Sequence, residues 1–530
     1  MPLPSFTPVA VPLLATPTPY VPAGEFHLAV REDIKTLNPF LGTNGAERLL
    51  ISLVYDTLLD PVSQVNPAGN LAHRWELHPE GRSLTFWIDP QAHWHDGLPV
   101  TADDVVYSFN LVRTQRLPGW VGLAAQVDRV EALSASEVRF SLLNNRGDIL
   151  QQLGMKLPII PAAAWDSIDD PAQFTNWDEP VGSGPFRLVQ RTAGQQVVLS
   201  SVPAHHHSPA RMDTLVIEII RDEQKALQSL KNAEVDLLGW DVAPGVVSTI
   251  ERQPDAYPNL VTMAAPGPVV HSLILNLRKP PFNDRDFRQA LTLAIDADAI
   301  IQEVIMGYGQ PALASLVPPN SPWHPGSVTP VPFDRQQAVA KLDSRGYADH
   351  DGDGVRETLE GEPLQIKIAC VDLPSPLLIA QMVAVNWKAV GIAATVTKVA
   401  QDQLLPLLTE AQFDAVLYQT ALRDAEAAFL AFHSSGGSIN GGRVVGQNYG
   451  GYSNALYDEV VEALWEEHDV LQQQQLLAQL ELALASDLPQ IPLLCPYVLN
   501  LYRADRFIGW EAVPGEGLVT RFTLVGLQQR

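Results

Sequence analysis

A run of acidic residues in the second half of the chain has the spacing of a calcium-binding loop. The segment DHDGDGVRETLE occupies positions 349–360, and Ca²⁺ needs hard oxygen ligands wrapped around a glycine turn. The alternative is an acidic hairpin turn without an ion, because Arg356 replaces the usual apolar residue and residues 364–369 resemble a strand. The candidate ligands are Asp349, Asp351, Asp353, the carbonyl of Val355, Glu357 and Glu360. We predict a weak structural calcium site and no required cofactor.

Two histidine patterns are also candidates for metal binding, because imidazole is a ligand of zinc and nickel. His93 and His95 stand two residues apart, and His205, His206 and His207 are consecutive. For the first pair we favour a structural corner within the segment Trp-His-Asp-Gly. For the consecutive histidines we favour a surface segment without a specific metal.

The sequence contains no recognised catalytic motif. GxSxG, a Walker A lysine and HExxH are all absent, and these motifs mark serine hydrolases, nucleotide hydrolases and zinc proteases. With 60 acidic residues among 530, chance pairs of carboxylates are common, so a glycosidase pair cannot be inferred. The only cysteines, Cys370 and Cys495, form no CxxC motif. We therefore expect a binding protein and not an enzyme.

Size and charge narrow the class further. The 530 residues exceed the roughly 250–300 at which a single core stops growing, so at least two lobes are expected. The net charge of −25 argues against nucleic acid and anionic membrane surfaces as partners. The first 22 residues contain seven prolines and no basic stretch, which is typical of an extended spacer and not of a signal peptide.

The pattern near the middle of the chain indicates a strand, a break and a helix. Leu273, Leu275 and Leu277 alternate as in a half-buried strand, and two prolines then end the sheet. Either Asn283 or Asp284 can cap a helix whose apolar face repeats with helical spacing. That face comprises Phe287, Ala290, Leu291, Ala294 and Ile295.

Segments 215–241 and 364–419 both have a strand-helix-strand rhythm, which predicts α/β sheets. Trp240 and Asp241 follow the last strand of the first segment, and ligands of open α/β sheets bind beyond the carboxyl ends of strands. The alternatives are core packing for the tryptophan and a helix or turn cap for the aspartate.

Four motifs, in order, resemble those of the family 5 extracellular solute-binding proteins, the peptide- and nickel-type binding components of ABC importers. The motifs are LTFWIDPQAHWHDGLPVTADDVVYSF at 84–109, PVGSGPFRL at 180–188, NLRKPPFNDRDFRQALTLAID at 276–296, and an NY…GYSN…YD pattern at 448–458. The resemblance covers about residues 26–510.

This resemblance implies an α/β fold of the two-lobed periplasmic-binding-protein type (type II, cluster C) with an extra inserted subdomain. Residues 1–24 are expected to form the proline-rich spacer. The first lobe is expected to comprise residues 25–268, with the subdomain at about 50–178. The second lobe should span 269–484, and residues 485–530 should return to the first lobe.

The resemblance also implies where the solute binds. In the family, the early loop (here 36–45) and an Asn-Tyr loop lie at the cleft between the lobes. An aspartate after a second-lobe strand pairs with the ligand's ammonium, and by position this residue is Asp424. Its alternative role is a surface ion pair with Arg423. The expected ligand-binding residues are Asn38, Thr43, Asn44, Trp240, Asp241, Tyr418, Gln419, Thr420, Asp424, Asn448 and Tyr449.

The expected function is an extracytoplasmic solute-binding protein that captures a small solute, most simply a peptide, and delivers it to an ABC permease. Alternatives within the family are an oligosaccharide or nickel-complex binder, or a ligand sensor without transport. A secreted α/β hydrolase is a less favoured alternative. We expect a monomer that does not bind nucleic acid. It should be located in the periplasm or at the cell surface. A lipid anchor on a segment absent from this chain is left open.

Overall fold

The computed structural model describes residues 24–60, 67–78, 80–321, 324, 326, 328–358, 360–420, 422 and 425–530. The predicted spacer therefore lies outside the described residues, apart from Gly24. Elements up to the end of the inserted region are β1 Glu25–Val30, α1 Gly45–Val54, β2 Leu59–Asp60, β3 Ala68–Gly69, β4 Ala72–Leu77, β5 Ser83–Ile88, α2 Ala102–Thr114, α3 Val121–Ala124, β6 Val127–Ser134, β7 Glu137–Leu142, a π-helical turn Gln151–Lys156 and α4 Ala162–Trp165.

The next part of the chain contains the remaining elements of the predicted first lobe, followed by those of the predicted second lobe. The elements that complete the first lobe are β8 Phe186–Thr192, β9 Gln196–Ser201, β10 Thr214–Ile219, α5 Glu223–Lys231, β11 Leu237–Leu238, α6 Pro244–Arg252, a 3₁₀ turn Pro254–Ala256 and β12 Leu260–Pro266. The next elements are β13 Val270–Leu275, α7 Arg285–Leu293, α8 Ala297–Ile305, β14 Gly309–Pro311, α9 Arg335–Ser344, β15 Gln365–Val371, α10 Pro374–Lys388, β16 Ala393–Val399, α11 Gln401–Thr409 and β17 Ala415–Thr420.

The last part of the chain contains two longer helices and a 14-residue strand. Its elements are α12 Ala425–Phe432, a 3₁₀ turn Ser434–Gly437, β18 Ile439–Asn440, β19 Arg443–Val444, α13 Ala455–Glu466, α14 Val470–Asp487, β20 Gln490–Arg503, β21 Phe507–Ile508, α15 Arg521–Gly526 and β22 Gln528–Gln529.

Strand β20 is shared by both lobes. The main sheet has the order β16-β15-β17-β13-β20-β11-β1-β10-β9-β8, and β12 and β14 also pair with β20. The first half of β20 pairs with β13 and β14, up to Pro496 opposite Gly309. Its second half pairs with β12, from Tyr497 opposite Pro266 onward, and with β11. The predicted return at residue 485 stays a prediction, because this strand hydrogen-bonds to both lobes.

The central strand and helix both form, but β13 ends at Leu275, before Leu277, and buries Ser272 and Ile274 on its other face, so it is not the half-buried strand that the alternation predicts. β13 buries Leu273 and Leu275 against the apolar face of α7. The side chain of Asp284 caps this helix by accepting a hydrogen bond from the amide of Asp286 at 2.9 Å. All five residues of the predicted helical face are buried. The local pattern therefore predicted the position and the cap of this helix correctly.

A separate four-stranded antiparallel sheet, β4-β5-β7-β6, forms the inserted subdomain. Helix α2 packs on this sheet, with Phe109 meeting Phe140 edge to face at 5.5 Å. The start of α2 is fixed by Asp104, which accepts hydrogen bonds from the hydroxyl and the amide of Thr101 at 2.8 and 2.9 Å. The acidic first turn thus stabilises the helix, as expected from its dipole.

A buried ion pair fastens the C-terminal helix α15 to the first lobe. Asp56 is fully buried and lies 2.5 Å from the Arg521 guanidinium, while His205 and Asn70 donate to it at 3.2 Å. Burial raises the pKa of the Asp56 carboxyl, but Arg521 and His205 outweigh this effect and hold the pKa well below its usual range. The carboxylate therefore stays ionised and paired.

His27 on β1 links two acidic side chains and makes the stability of the first lobe dependent on pH. Its ring nitrogens lie 2.7 Å from Glu218 and 2.6 Å from Glu25. The hydrogen bond to Glu218 raises the pKa of His27, burial lowers it, and Glu25 raises it again, so the pKa lies above the ordinary 6.5. The contribution of protonated His27 to stability is therefore complete below pH 6.5, the ordinary pKa of histidine. The contribution is lost as the pH rises through the higher pKa of His27 in the folded state.

We predict that His27→Gln lowers the free energy of unfolding by up to about 1 kcal/mol near pH 6, a value limited by solvent screening of the exposed Glu25. The difference from the unmodified protein should shrink near pH 9. Urea unfolding at both pH values measures it, with the exposed His73→Gln as a control. An equal loss of stability at the two pH values would contradict the assignment.

Candidate functional site

A cavity of about 800 Å³ lies in the first lobe, between the early loop, helix α1, the subdomain and the C-terminal segment. This volume is within the ~300–1,000 Å³ range of small-molecule sites. Its lining residues include Pro39, Phe40, Gly42, Arg48, Tyr55, Asp60, Trp120, Lys156, Arg211, Glu511, Val513, Glu516, Arg521 and Phe522. Gly515, the neighbour of the lining residue Glu516, packs close to the side-chain amide of Asn320. This wall of the cavity therefore adjoins a loop of the predicted second lobe.

Two asparagines hold the early loop in place. The side chain of Asn38 is buried and donates to the carbonyls of Pro171 and Phe174 at 2.9 and 2.8 Å. Asn44 caps α1 by accepting from the amide of Glu47 at 2.9 Å. Both side chains therefore shape the loop, whereas Thr43 is exposed beside the cavity residue Gly42. A ligand contact for these three predicted residues remains a proposal.

Aromatic side chains form one wall of the cavity. Phe40 and Trp120 pack edge to face at 5.9 Å, and the indole N–H donates to the Phe40 carbonyl at 3.3 Å. Phe522 is 44% exposed at the same cavity, so apolar surface is available for a ligand. This wall joins three chain segments that are distant in sequence.

The cavity also presents unpaired charges of both signs. Arg521 and Asp60 have partners, Asp56 and His207 respectively. By contrast, the charged groups of Lys156, Arg211, Glu511 and Glu516 have no ion pair with any other described residue. Arg48 donates to the Thr43 carbonyl and also has no ion pair with a described residue. The site therefore offers three cations and two carboxylates to a solute. Sequence reasoning missed these residues, because they converge from distant segments and follow no local motif.

In the second lobe, the predicted residues of β17 meet the Asn-Tyr loop. The rings of Tyr418 and Tyr449 pack edge to face at 6.3 Å, and the Tyr449 carbonyl accepts from Arg278 at 2.8 Å. Asn448 is buried and its side chain makes hydrogen bonds to Phe432, His433 and Tyr452, so it holds the loop together. Asp424 lies outside the described residues.

Other predicted residues make contacts within the protein. Gln419 lies 3.4 Å from the ring of His271, and Thr420 lies 3.5 Å from Gln490. Asp241 accepts a hydrogen bond from the amide of Leu499 on β20 at 2.7 Å, and burial raises the pKa of its carboxyl.

Trp240, beside Asp241, carries the guanidinium of Arg31 4.4 Å from its ring centre. The 800 Å³ cavity is lined neither by Trp240 and Asp241 nor by the predicted second-lobe residues Tyr418, Gln419, Thr420, Asn448 and Tyr449. Their role as ligand contacts remains a proposal.

The consecutive histidines are not simply the predicted surface segment, because His205 is buried beside Asp56. Both groups of histidines make structural hydrogen bonds. His205 accepts hydrogen bonds on Nδ1 from the amides of His207 and Ser208, so its proton resides on Nε2, which lies 3.2 Å from Asp56. His95 likewise uses Nε2 toward the Gly184 carbonyl at 2.9 Å and Nδ1 toward the Gly182 amide at 3.3 Å. Although Asp56, His205 and His206 lie close enough to hold a metal, binding through His205 would break these hydrogen bonds.

The acidic loop assembles only half of the predicted calcium ligands. The carboxylates of Asp349, Asp351 and Asp353 lie within 4.8 Å of one another. Glu357 instead accepts from the amide and ring of His350 at 2.9 and 3.1 Å. Glu360 lines a different surface groove. The calcium site remains a proposal, with three side chains close enough to act.

We predict that millimolar Ca²⁺ raises the melting temperature of EDTA-treated protein, because weak extracellular calcium loops with Kd near 10⁻³ M gain on the order of 1 kcal/mol at such concentrations. Differential scanning calorimetry measures the shift. Asp349→Asn is the matched variant, because the first position of a calcium loop requires aspartate and asparagine can still accept the hydrogen bond from the Gly352 amide. No shift in the unmodified protein, or the same shift in the variant, would contradict calcium binding.

Comparison with known proteins gives the family. Residues 66–440 match the model described as bacterial extracellular solute-binding proteins, family 5 middle. The chain belongs to this family.

Relatives include the dipeptide-binding protein of Escherichia coli, 25% identical over 402 residues that cover 72% of each chain. The nickel-binding periplasmic protein of the same species is 24% identical over 412 residues, covering 74% of this chain and 76% of that one.

The solved structures confirm the two-lobed fold. The periplasmic oligopeptide-binding protein of Thermotoga maritima superposes with a TM-score of 0.79 at 21% identity, covering 96% of this chain and 99% of that one. None of the helices within the described ranges combines the length and apolar character needed to span a bilayer.

Proposed function

We propose that this protein is the extracytoplasmic solute-binding component of an ABC importer and that its solute is a short peptide. One observation carries the proposal. Cations and carboxylates without ion-pair partners line the same cavity, and this cavity also has an aromatic wall. It acts as a monomer, delivers the solute to permease subunits and catalyses no reaction.

A peptide fits the cavity better than a neutral sugar. A zwitterionic peptide has an ammonium group and a carboxylate group. The ammonium is complementary to Glu511 and Glu516, and the carboxylate is complementary to Lys156 and Arg211. A charge that is enclosed without a partner is costly, so closing the site over an uncharged oligosaccharide would leave these groups unfavourably placed. Trp120 and Phe522 supply apolar surface for side chains of varied shape.

The mechanism is closure around the solute without chemical change. Because β20 hydrogen-bonds to both lobes, the lobes remain joined while their angle changes, as in hinge motion. The solute shifts the equilibrium only if it binds the closed state more tightly than the open state. The permease then recognises the closed state.

We predict that the double variant Glu511→Gln/Glu516→Gln weakens binding of a di- or tripeptide by at least about tenfold, since loss of ~1.4 kcal/mol of charge pairing is a factor of ten. Isothermal titration calorimetry measures the change in peptide affinity, with protein that has first been freed of bound solute. Glu303→Gln, an exposed site on α8, is the matched control.

Native mass spectrometry of the protein as purified identifies the solute class. A retained mass in the range of short peptides is the expected result. A retained hexose series or a nickel complex would overturn the peptide proposal, and so would unchanged peptide affinity in the double variant.

A further inference from the structure

Two segments of the chain join the inserted subdomain to the second lobe. Residues 145–147 follow β7 in the subdomain, and residues 465–468 comprise the last two residues of α13 and the start of its short connection to α14 in the second lobe. The amide of Gly147 donates to the Trp465 carbonyl at 2.6 Å, and the side chain of Asn145 donates to the Glu466 carbonyl at 3.0 Å. His468 also hydrogen-bonds to the Asn145 side chain. We call these contacts the interlobe clasp, formed by 145–147 and 465–468.

An arginine stacks across the same interface. Arg146 is held by two hydrogen bonds to Asp148, at 2.8 and 2.7 Å, and both side chains are largely buried. This pairing fixes the plane of the guanidinium, which lies 4.2 Å from the ring centre of Trp465. A guanidinium over an indole is attracted by the electrons of the ring. The clasp thus combines backbone hydrogen bonds with a cation–π contact.

The approach at Gly147 leaves no room for a side chain. A Cβ atom there would lie 2.0 Å from the carbonyl oxygen of Glu467. Gln473 donates to that same carbonyl at 2.7 Å, which holds it against the glycine. Gly147 is not among the glycines with positive φ, so close contact and not backbone conformation requires glycine here.

We propose that the interlobe clasp is a latch that holds the closed arrangement of the lobes. The chain enters the subdomain from the first lobe and leaves it to the first lobe, so the clasp is a non-covalent link between the subdomain and the second lobe. Widening the angle between the lobes therefore breaks the clasp or displaces the subdomain. The strength of the clasp sets the balance between open and closed states. This inference goes beyond the proposed function and does not depend on the solute.

The test compares Gly147→Ala with Gly122→Ala. The control is matched, because a Cβ at Gly122 meets no atom within 4 Å. Hydrogen exchange with mass spectrometry and small-angle X-ray scattering are measured on the full chain without added solute. In Gly147→Ala, exchange should rise together in 145–147 and 465–473, and the radius of gyration should increase. Gly122→Ala should match the unmodified protein.

Arg146→Met provides a second variant, because it removes the stacking cation without adding bulk at Gly147. The same joint change, smaller in extent, is expected, while exchange in strands β5 and β13 stays unchanged. The proposal is overturned if Gly147→Ala or Arg146→Met increases exchange in 145–147 alone with an unchanged radius of gyration, or if neither variant differs from the unmodified protein. If Gly147→Ala does not fold, Arg146→Met decides between these outcomes.

Discussion

The structure depends on one strand that two lobes must share. β20 is 14 residues long and takes its hydrogen-bond partners from the second lobe over its first half and from the first lobe over its second half. Backbone hydrogen bonds are nearly obligatory for buried strands, so neither lobe can complete its sheet without the other. This constraint keeps the two lobes attached through the backbone of one strand.

The C-terminal segment is held against the cavity by buried charge. Arg521 reaches the fully buried Asp56, and it also donates to the carbonyl of Ser52 on α1 at 2.7 Å. The chain between β21 and α15 contributes Glu511, Val513 and Glu516 to the cavity. The ion pair thus positions residues that line the cavity. The early loop is also held in place, but by hydrogen bonds of the neutral amide side chains of Asn38 and Asn44.

Local patterns in the sequence predicted the elements that local physics determines. The Asp284 cap and the apolar face of α7 were confirmed, and ordered motifs gave the family and the two-lobed fold. The half-buried alternation predicted for Leu273, Leu275 and Leu277 was wrong, because β13 ends at Leu275 and is buried on both faces between β17 and β20. The double partnership of β20 could not be predicted, because strand pairing between distant segments has no local signal. The cavity charges were missed for the same reason. In the acidic loop, the spacing predicted six ligands, but the ion pair between His350 and Glu357 withdraws one carboxylate from the cluster.

Closure of two lobes around a solute is the central claim, and solution scattering tests it most directly. The protein is freed of bound solute by unfolding and refolding, and its scattering is recorded alone and with a saturating peptide ligand. The account predicts a smaller radius of gyration in the presence of peptide. Identical scattering curves at confirmed saturation would show that the lobes do not close, and would contradict the account.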